Sequence, residues 1–468
     1  ESAVDQARRL YLAARSIEAM HALRGNSSEQ ALRLRAHCLL RLGDTSGAGA
    51  TLVRLRDVAT GGYERVEYHL LAASHLARCA RPEECEREYA AAAAVAVELG
   101  GAAAADVAAH RAAHALSRHD AAAARRHIAA GSSIAERPEE RYFKRHGTVR
   151  AEMLACRAAL AAAEHDHHAQ LETLMAAWTA AIAVPACDQD TMLLARIAGE
   201  VASLTIDVCV PYAGEFLWIA ANDVSWTPET QYEYWRLQSA LGWDAALRGD
   251  EVGAFARFRH AAETAPSGSL KIGSTLDRLF LALQLGQRII FGEELLRIRE
   301  LVAQYRSAVG DEPSLCLELA AAYAPVDARL AREWLDAHGG RPREALAMPA
   351  GGSERGDAKA CDAAAAVLAA EGRLGSAADR RRRAVALWES LGCRWRAANS
   401  AMELSALTHV ADDVRRATFA ASRFPRSWIA RRVRGIRRSK PKQLRAVAVS
   451  ESRAFTSWGA ARFAPSPR

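Results

Sequence analysis

The sequence predicts an all-α protein, built as a right-handed α-solenoid of about ten helical hairpins. Three observations support this fold class. Ala, Leu, Arg and Glu, which are strong helix formers, outnumber Val, Ile and Thr. The alternation of apolar and polar residues that marks half-buried strands is nearly absent. Turn signals recur every 36 to 48 residues along the chain, as expected for an array of repeated units.

The first predicted hairpin shows how each unit is built. Apolar residues recur at helical spacing on both sides of its turn, namely Leu32, Ala36 and Leu39 before it and Ala48, Leu52 and Leu55 after it. Each set forms the apolar stripe of an amphipathic helix. One hairpin cannot cover its own stripe, so it must stack on a neighbour. The predicted turns lie near Gly43, Ala80, His119, His165, Val208, Gly249, Gly286, Ala324, Gly372 and Thr408.

The clearest unit spans residues 238–266, with its turn at Gly249. The small residues Gly242 and Ala254 would let the two helices approach closely, and Phe258 would fill the space beside the next hairpin. This pattern of small and bulky residues resembles the tetratricopeptide repeat. The resemblance implies a helical array that binds other proteins.

The chain divides into five predicted segments. Residues 1–337 form a tetratricopeptide-like helical array, and residues 360–426 form C-terminal helical repeats. Between them, residues 338–359 contain five Gly and two Pro and are predicted as a loop or hinge. Residues 427–450 are predicted as a basic helix and linker, and residues 451–468 as a disordered tail.

Aromatic residues are concentrated between positions 212 and 243, where eight occur in 32 residues. Large rings suit the wall of a ligand or peptide groove, and they equally suit packing between long helices. The sequence leaves both interpretations open. Trp226 and Tyr234, near Pro228, are predicted to be the exposed rings. The candidate ligand or partner face consists of Tyr212, Trp218, Trp226, Tyr234 and Trp235.

Common catalytic motifs are absent from the sequence. It contains no G-x-x-x-x-G-K-[ST] phosphate loop, no H-E-x-x-H zinc motif and no G-x-S-x-G nucleophile motif. His110 and His114 share a helical face, as metal ligands do, but no nearby Glu or Cys completes a site. The histidine-rich segment 164–168 fits a polar surface turn. We therefore predict a protein that is not an enzyme and has no catalytic residue, cofactor or metal site.

Positive charge is concentrated at the C-terminal end. The net charge is +7, but fifteen Arg and Lys follow Asp413 against a single Glu, and the residues before that point carry a net charge of −7. Such a segment would bind phosphates weakly and without base specificity, or it would serve as a solvated linker. The candidate phosphate or nucleic-acid contacts are Arg431, Arg432, Arg434, Arg437, Arg438, Lys440 and Lys442.

A second resemblance is carried by Trp388, Leu391, Gly392, Arg394, Trp395, Arg396, Ala401, Glu403, Leu404, Leu407, Thr408, Pro425, Ser427 and Trp428. These residues resemble the last repeats of bacterial LuxR-type transcriptional regulators, in which a tetratricopeptide-like sensor array precedes a helix-turn-helix. The resemblance implies a DNA-binding domain after a short linker. Residues 440–447 fit the opening of that domain, but the residues that follow have no apolar periodicity. We therefore expect the DNA-binding domain to be truncated, or lost to a frameshift in a GC-rich bacterial gene.

The sequence thus predicts a non-catalytic binding or sensor array of a transcriptional regulator, whose concave face holds a protein, a peptide or a small effector. The alternative is a free-standing tetratricopeptide scaffold or adaptor. No apolar run is long enough for a membrane span, and no signal peptide is recognisable. The nine scattered cysteines fit a reducing compartment. We therefore expect a cytoplasmic protein without membrane contact.

Overall fold

The computed structural model describes residues 2–132, 146–164, 166–208, 211–310, 312–339 and 354–438. These residues form helices connected by turns and contain no strand. The first half of the chain contains α1 (Ala3–Leu12), α2 (Ser16–Ala22), α3 (Glu29–Leu42), α4 (Thr45–Arg56), α5 (Gly62–Arg78), α6 (Pro82–Leu99), α7 (Gly101–Ser117), α8 (Ala121–Ser132), α9 (His146–Ala163), α10 (His167–Ile182), a 3₁₀ turn (Ala186–Asp188), α11 (Thr191–Val208) and α12 (Pro211–Asp223). The second half contains α13 (Gln231–Arg248), α14 (Glu251–Thr264), α15 (Gly268–Leu285), α16 (Arg288–Gln304), α17 (Arg306–Gly310), α18 (Pro313–Tyr323), α19 (Ala328–Gly339), α20 (Glu354–Ala370), α21 (Leu374–Ser390), α22 (Arg394–Thr408), α23 (Ala411–Ala421) and α24 (Trp428–Arg438).

Consecutive helices pack as hairpins, for example α3 with α4, α5 with α6, α7 with α8, α9 with α10 and α20 with α21. The predicted turns at Gly43, Ala80, His119, Gly249, Gly286, Ala324 and Gly372 lie between the helices of a pair, and Val208 and Thr408 end α11 and α22. His165 lies outside the described residues. The predicted fold class, an all-α solenoid of helical hairpins, is therefore confirmed.

The turn geometry explains why these positions interrupt the helices. Gly43 ends α3 with φ of 79°, and its N–H donates to the Leu40 carbonyl at 3.1 Å. This left-handed conformation satisfies carbonyls at the end of the helix and favours Gly. Ala80 and His119 adopt the same conformation, with φ of 55° and 59°. The hairpin therefore requires this turn even where Gly is not available.

The chain divides into two compact units. Unit 1 comprises residues 1–201 and 219–234, and unit 2 comprises residues 202–218 and 235–468. The predicted hinge at residues 338–359 lies largely outside the described residues, and α20 begins inside that range, at Glu354. The predicted linker and tail beyond residue 438 also lie outside the described residues. No helix in the described part of the chain is long and apolar enough to cross a membrane.

In unit 1, residues near the end of the unit contact its first helices. The Ser16 hydroxyl donates to Glu229 at 2.8 Å, and the Glu229 carboxylate lies 3.8 Å from the Arg41 guanidinium. Arg41 also pairs with Asp190 at 3.4 Å. These residues are far apart in sequence, so their contacts hold the first and last hairpins of unit 1 together.

In unit 2, an aromatic cluster joins the first and last helices. Trp243 on α13 stacks on Trp395 of α22 with ring centroids 4.6 Å apart, and its centroid lies 6.0 Å from that of Trp428 on α24. All three indoles are buried. Phe258 on α14 packs edge-on against Trp243 at 5.1 Å. Helices from both ends of unit 2 therefore share one hydrophobic core.

We predict opposite effects on stability from two Gly→Ala substitutions within helices. A Cβ at Gly242 would lie 2.6 Å from the ring of Phe258, which is fully buried. Gly242→Ala should lower the free energy of unfolding by about 1–3 kcal/mol because the added methyl has no space. A Cβ at Gly273 would meet no atom within 4 Å. Gly273→Ala should raise the free energy of unfolding by ~0.5–1 kcal/mol through its higher helix propensity.

The measurement is urea denaturation of the native protein and both variants, with far-ultraviolet circular dichroism as the signal of unfolding. The Gly273→Ala variant is the matched control, because it makes the same chemical change in an open position. A shift of both midpoints in the same direction would show that Gly242 does not mark a close helix contact.

Candidate functional site

A cavity of about 300 Å³ lies inside unit 1. Its walls are formed by α1, by the segment around the 3₁₀ turn, and by α3, α7, α9, α11 and α13, each of which is the first helix of a hairpin. In the described part of the chain, no second helix of a hairpin lines the cavity. The polar and aromatic side chains of interest are Tyr11, His37, Arg41, His110, Glu152, Arg196 and Glu233. The cavity therefore lies on the inner helix faces of this array.

One wall of the cavity is a stack of aromatic and cationic side chains. The Arg41 guanidinium lies 3.8 Å from the centroid of the Tyr11 ring, and Arg41 Nη1 donates to the Tyr11 carbonyl at 2.6 Å. The His37 ring packs against the same Tyr11 ring at 5.6 Å. Cation–π and ring contacts of this kind fix the orientation of all three side chains.

A buried carboxylate behind this wall holds the histidine in place. Glu67 on α5 accepts a hydrogen bond from Arg33 at 3.0 Å and lies 2.8 Å from His37 Nε2. An ionised carboxylate is stable in a buried position only when it is paired and hydrogen-bonded. Glu67 therefore connects α3 to α5 and sets the direction in which His37 faces the cavity.

The other wall carries two charged side chains with no partner. Arg196 on α11 is exposed and Glu233 on α13 is half-buried. Neither forms a hydrogen bond or ion pair with another residue in the described ranges. Both line the cavity. Within the described part of the chain, the cavity thus offers one unpaired cation and one unpaired anion to a ligand.

The inner faces of unit 2 carry a second group of polar side chains. Burial away from water, reinforced by the nearby Glu318 carboxylate, raises the pKa of Asp277 from its ordinary value near 3.8 to about 7. The charges of Arg396 and Lys359 and a hydrogen bond from the Trp243 indole oppose this rise. Asp277 is only half-buried, so water reaches the space beside it.

In unit 2, a network of hydrogen bonds and ion pairs connects α20, α21 and α22. Asp362 on α20 accepts from the Trp388 indole at 2.7 Å and from the Ser400 hydroxyl at 2.8 Å. Arg381, which is buried, forms ion pairs with both Asp362 and Glu403. Since a buried guanidinium needs such partners, the network holds α20, α21 and α22 in one arrangement.

The aromatic residues predicted as a ligand face are divided between the two units. In unit 1, Trp226 is 50% exposed and Tyr234 is half-buried. In unit 2, the Trp218 indole donates to Asp244 at 3.0 Å and the Trp235 indole donates to Ser274 at 2.7 Å. Tyr234 was predicted to be exposed but is half-buried, whereas the neighbouring Tyr232 is 46% exposed. The side chain of Tyr212 lies outside the described part of the structure.

The predicted phosphate contacts begin on α24. Arg431 forms an ion pair with Glu251, and Arg432 donates to Gln284, so both bind within unit 2. Arg434 is exposed, and its guanidinium approaches the Pro425 carbonyl at 3.5 Å. The side chains of Arg437 and Arg438, and all of Lys440 and Lys442, lie outside the described residues.

The two histidines that share a face of α7 each have an acidic neighbour. His110 lies 3.7 Å from Asp106, and His114 lies 3.5 Å from Glu86. Among the described residues, no group of three or more potential ligands could hold a metal ion.

Apart from His110, the cavity residues of unit 1 were not identified from the sequence. His37 and Arg41 are separated by one helical turn on α3, and Arg33 precedes them by another turn. A polar stripe of this kind on the first helix of a hairpin, beside its apolar packing stripe, is the signal that could have found them.

Comparisons with known proteins give distant structural similarities only. No family model and no curated protein matches the sequence. The Rap protein in complex with competence and sporulation factor is 13% identical, with a TM-score of 0.39 over 83% of this chain and 99% of that chain. The Cut9–Hcn1 hetero-tetramer of APC/C (14%, TM-score 0.30) matches over 89% of both chains. Yeast Tom70 (12%, TM-score 0.31) matches over 99% of this chain and 96% of that chain.

These structures are tetratricopeptide-like helical repeat proteins, and none of the comparisons identifies a LuxR-type regulator. Similarity at this level does not indicate a shared function.

We predict that Asp277 makes the stability of unit 2 depend on pH. Because its pKa in the folded protein, about 7, exceeds its ordinary value, the folded state binds the proton more tightly than the unfolded state. The free energy of unfolding should therefore fall as pH rises from about 4 to about 7. Asp277→Asn should remove this part of the slope and be more stable than the native protein at about pH 8.

The measurement is the thermal unfolding midpoint of both proteins across that pH range. Glu318→Gln is the companion variant. It removes the neighbouring negative charge, so it should reduce the slope without abolishing it. Parallel curves for the native protein and Asp277→Asn would contradict the assignment.

Proposed function

We propose that this chain is a non-catalytic interaction array that binds a short peptide segment of a partner protein in the cavity of unit 1. The observation that carries this proposal is the set of side chains from successive inner helices that converge on one cavity, with Arg196 and Glu233 left unpaired. A volume of about 300 Å³ accommodates a few side chains of a ligand.

The chemistry of the cavity favours a peptide over a polyanion. Its lining contains cations and anions in similar number, among them Arg41, Arg196, Asp190 and Glu233. A peptide has backbone donors and acceptors and side chains of either charge, so it can satisfy both kinds of group. A nucleic acid would be repelled by the carboxylates.

A more specific form of the proposal is that the array is the sensor of a LuxR-type transcriptional regulator, in which a peptide or small effector alters the array. The residues Trp388, Trp395 and Trp428, which resemble that family, are fully or almost fully buried in unit 2. The free-standing scaffold or adaptor remains the alternative. The regulator would also use the basic end to approach DNA, with Arg434 as an exposed cation.

We predict that charge reversal at Arg196 weakens peptide binding. A random peptide library is selected on the full chain, and the affinity of the enriched peptide is measured by fluorescence anisotropy. Arg196→Glu should weaken that affinity ~tenfold or more, because it replaces the unpaired cation of the cavity with a second unpaired anion. Arg54→Glu, on the exposed face of the second helix α4, is the matched control and should bind as the native protein does.

Equal enrichment of the same peptides on the native protein and on Arg196→Glu would refute binding in this cavity. Circular dichroism of both variants confirms that each is folded.

We predict that the basic end binds DNA only weakly. A mixed-sequence duplex titrated at low salt should bind the full chain without sequence preference, and the affinity should fall steeply as salt is added. Arg434→Glu should reduce that affinity, whereas Arg54→Glu, at an exposed position of α4 outside the basic end, is the control for a general change in charge. Binding that is unaffected by salt, or equal loss in both variants, would argue against a role for α24 and in favour of the scaffold.

A further inference from the structure

Arg396 on α22 has a guanidinium Nε–H for which the described part of the chain provides no acceptor. The guanidinium carbon lies 4.6 Å from the centroid of the Trp395 ring and 5.2 Å from that of the Trp388 ring. Its Nε is shielded from water and donates no hydrogen bond, and among the described residues Arg396 forms no ion pair. Leaving the Nε–H donor unmet in a position shielded from water costs free energy.

An unmet acceptor lies one helical turn away. Asn399 is 8% exposed, and its Oδ1 accepts no hydrogen bond from any described residue. Residues three apart on a helix project from the same face. Arg396 and Asn399 therefore place an unmet donor and an unmet acceptor side by side on α22.

Charged side chains of both signs lie near this pair. Asp277 on α15 lies close enough to Arg396 and Lys359 for their positive charges to lower its pKa. Lys359 Nζ lies 2.7 Å from the Glu318 carboxylate. Arg396, Asp277 and Lys359 are each half-buried, so each keeps part of its surface in contact with solvent.

We propose that this inner face of unit 2 binds a free α-amino acid. Arg396 donates to the carboxylate, Asn399 Oδ1 accepts from the ammonium group, and Asp277 supplies the opposite charge for the ammonium. An α-amino acid carries its anion and its cation on one carbon, which matches a donor and an acceptor one helical turn apart. An inorganic anion such as phosphate would meet Arg396 but would be repelled by Asp277 and Glu318.

This site is separate from the peptide cavity proposed in unit 1 and shares no residue with it. The two proposals can therefore fail independently. A variant of the cavity, such as Arg196→Glu, should leave amino-acid binding unchanged.

The test uses the full chain and the twenty L-amino acids as probes, by thermal shift and then by isothermal titration calorimetry. At least one amino acid should raise the unfolding midpoint and bind. For the tightest binder, the analogue without the amino group and the analogue without the carboxyl group should each bind ~tenfold more weakly or worse. The same titration in two buffers of different ionisation enthalpy should show release of a proton from Asp277 on binding.

Two variants address the named residues. Arg396→Lys keeps the charge but loses the planar fork, and Asn399→Leu removes the acceptor at similar volume; each should weaken binding ~tenfold or more. Arg394→Leu, at an exposed position of the same helix, is the matched control and should bind as the native protein does. Circular dichroism identifies the folded variants, and either Arg396→Lys or Asn399→Leu suffices for the test.

The proposal is overturned if none of the twenty amino acids binds, or if the folded variants bind as tightly as the native protein. It is also overturned if the analogue without the amino group, or inorganic phosphate, binds as tightly as the amino acid. That result would indicate a simple anion site.

Discussion

In unit 2, the stacked indoles of Trp243 and Trp395, with Trp428 against them, join helices that begin and end the unit. A helical hairpin leaves an apolar stripe that only another hairpin can cover, so an array always has two stripes left at its ends. Unit 2 buries these ends against each other in one aromatic core. In unit 1, ion pairs and hydrogen bonds to Glu229 and Asp190 connect early and late segments. The inner helix faces of each unit are therefore held around a defined space.

Polar side chains on those inner faces follow from the same constraint. Apolar residues are used where hairpins contact each other, so the remaining inner stripe is free to carry charge. Where such a charge is buried it must be paired, as Glu67 is by Arg33 and His37 and as Arg381 is by Asp362 and Glu403. Within the described ranges, Arg196 and Glu233 line the cavity of unit 1 without a hydrogen bond or ion pair, and Arg396 Nε and Asn399 Oδ1 have no partner in unit 2.

The basic end has a structural role as well as a charge. Trp428, Ile429 and Val433 on α24 are buried in the core of unit 2, and Arg431 forms an ion pair with Glu251. A Cβ at Gly249 would lie 2.6 Å from the Arg426 carbonyl oxygen, so the segment before α24 packs directly on the turn between α13 and α14. Some cations of the basic end, such as Arg431, therefore form contacts within unit 2, whereas Arg434 is exposed on the surface.

The sequence by itself determined the helical class, the position of most turns and the local packing of each hairpin. These features depend on neighbouring residues, such as the stripe of Leu32, Ala36 and Leu39 or the contact of Gly242 with Phe258. Only the tertiary structure decided that Ser16 meets Glu229, that Arg381 lies between Asp362 and Glu403, and that Tyr232 is exposed while Tyr234 is half-buried. Such contacts depend on the small rotation between successive hairpins, which accumulates over many repeats and leaves no periodic signal in the residues themselves.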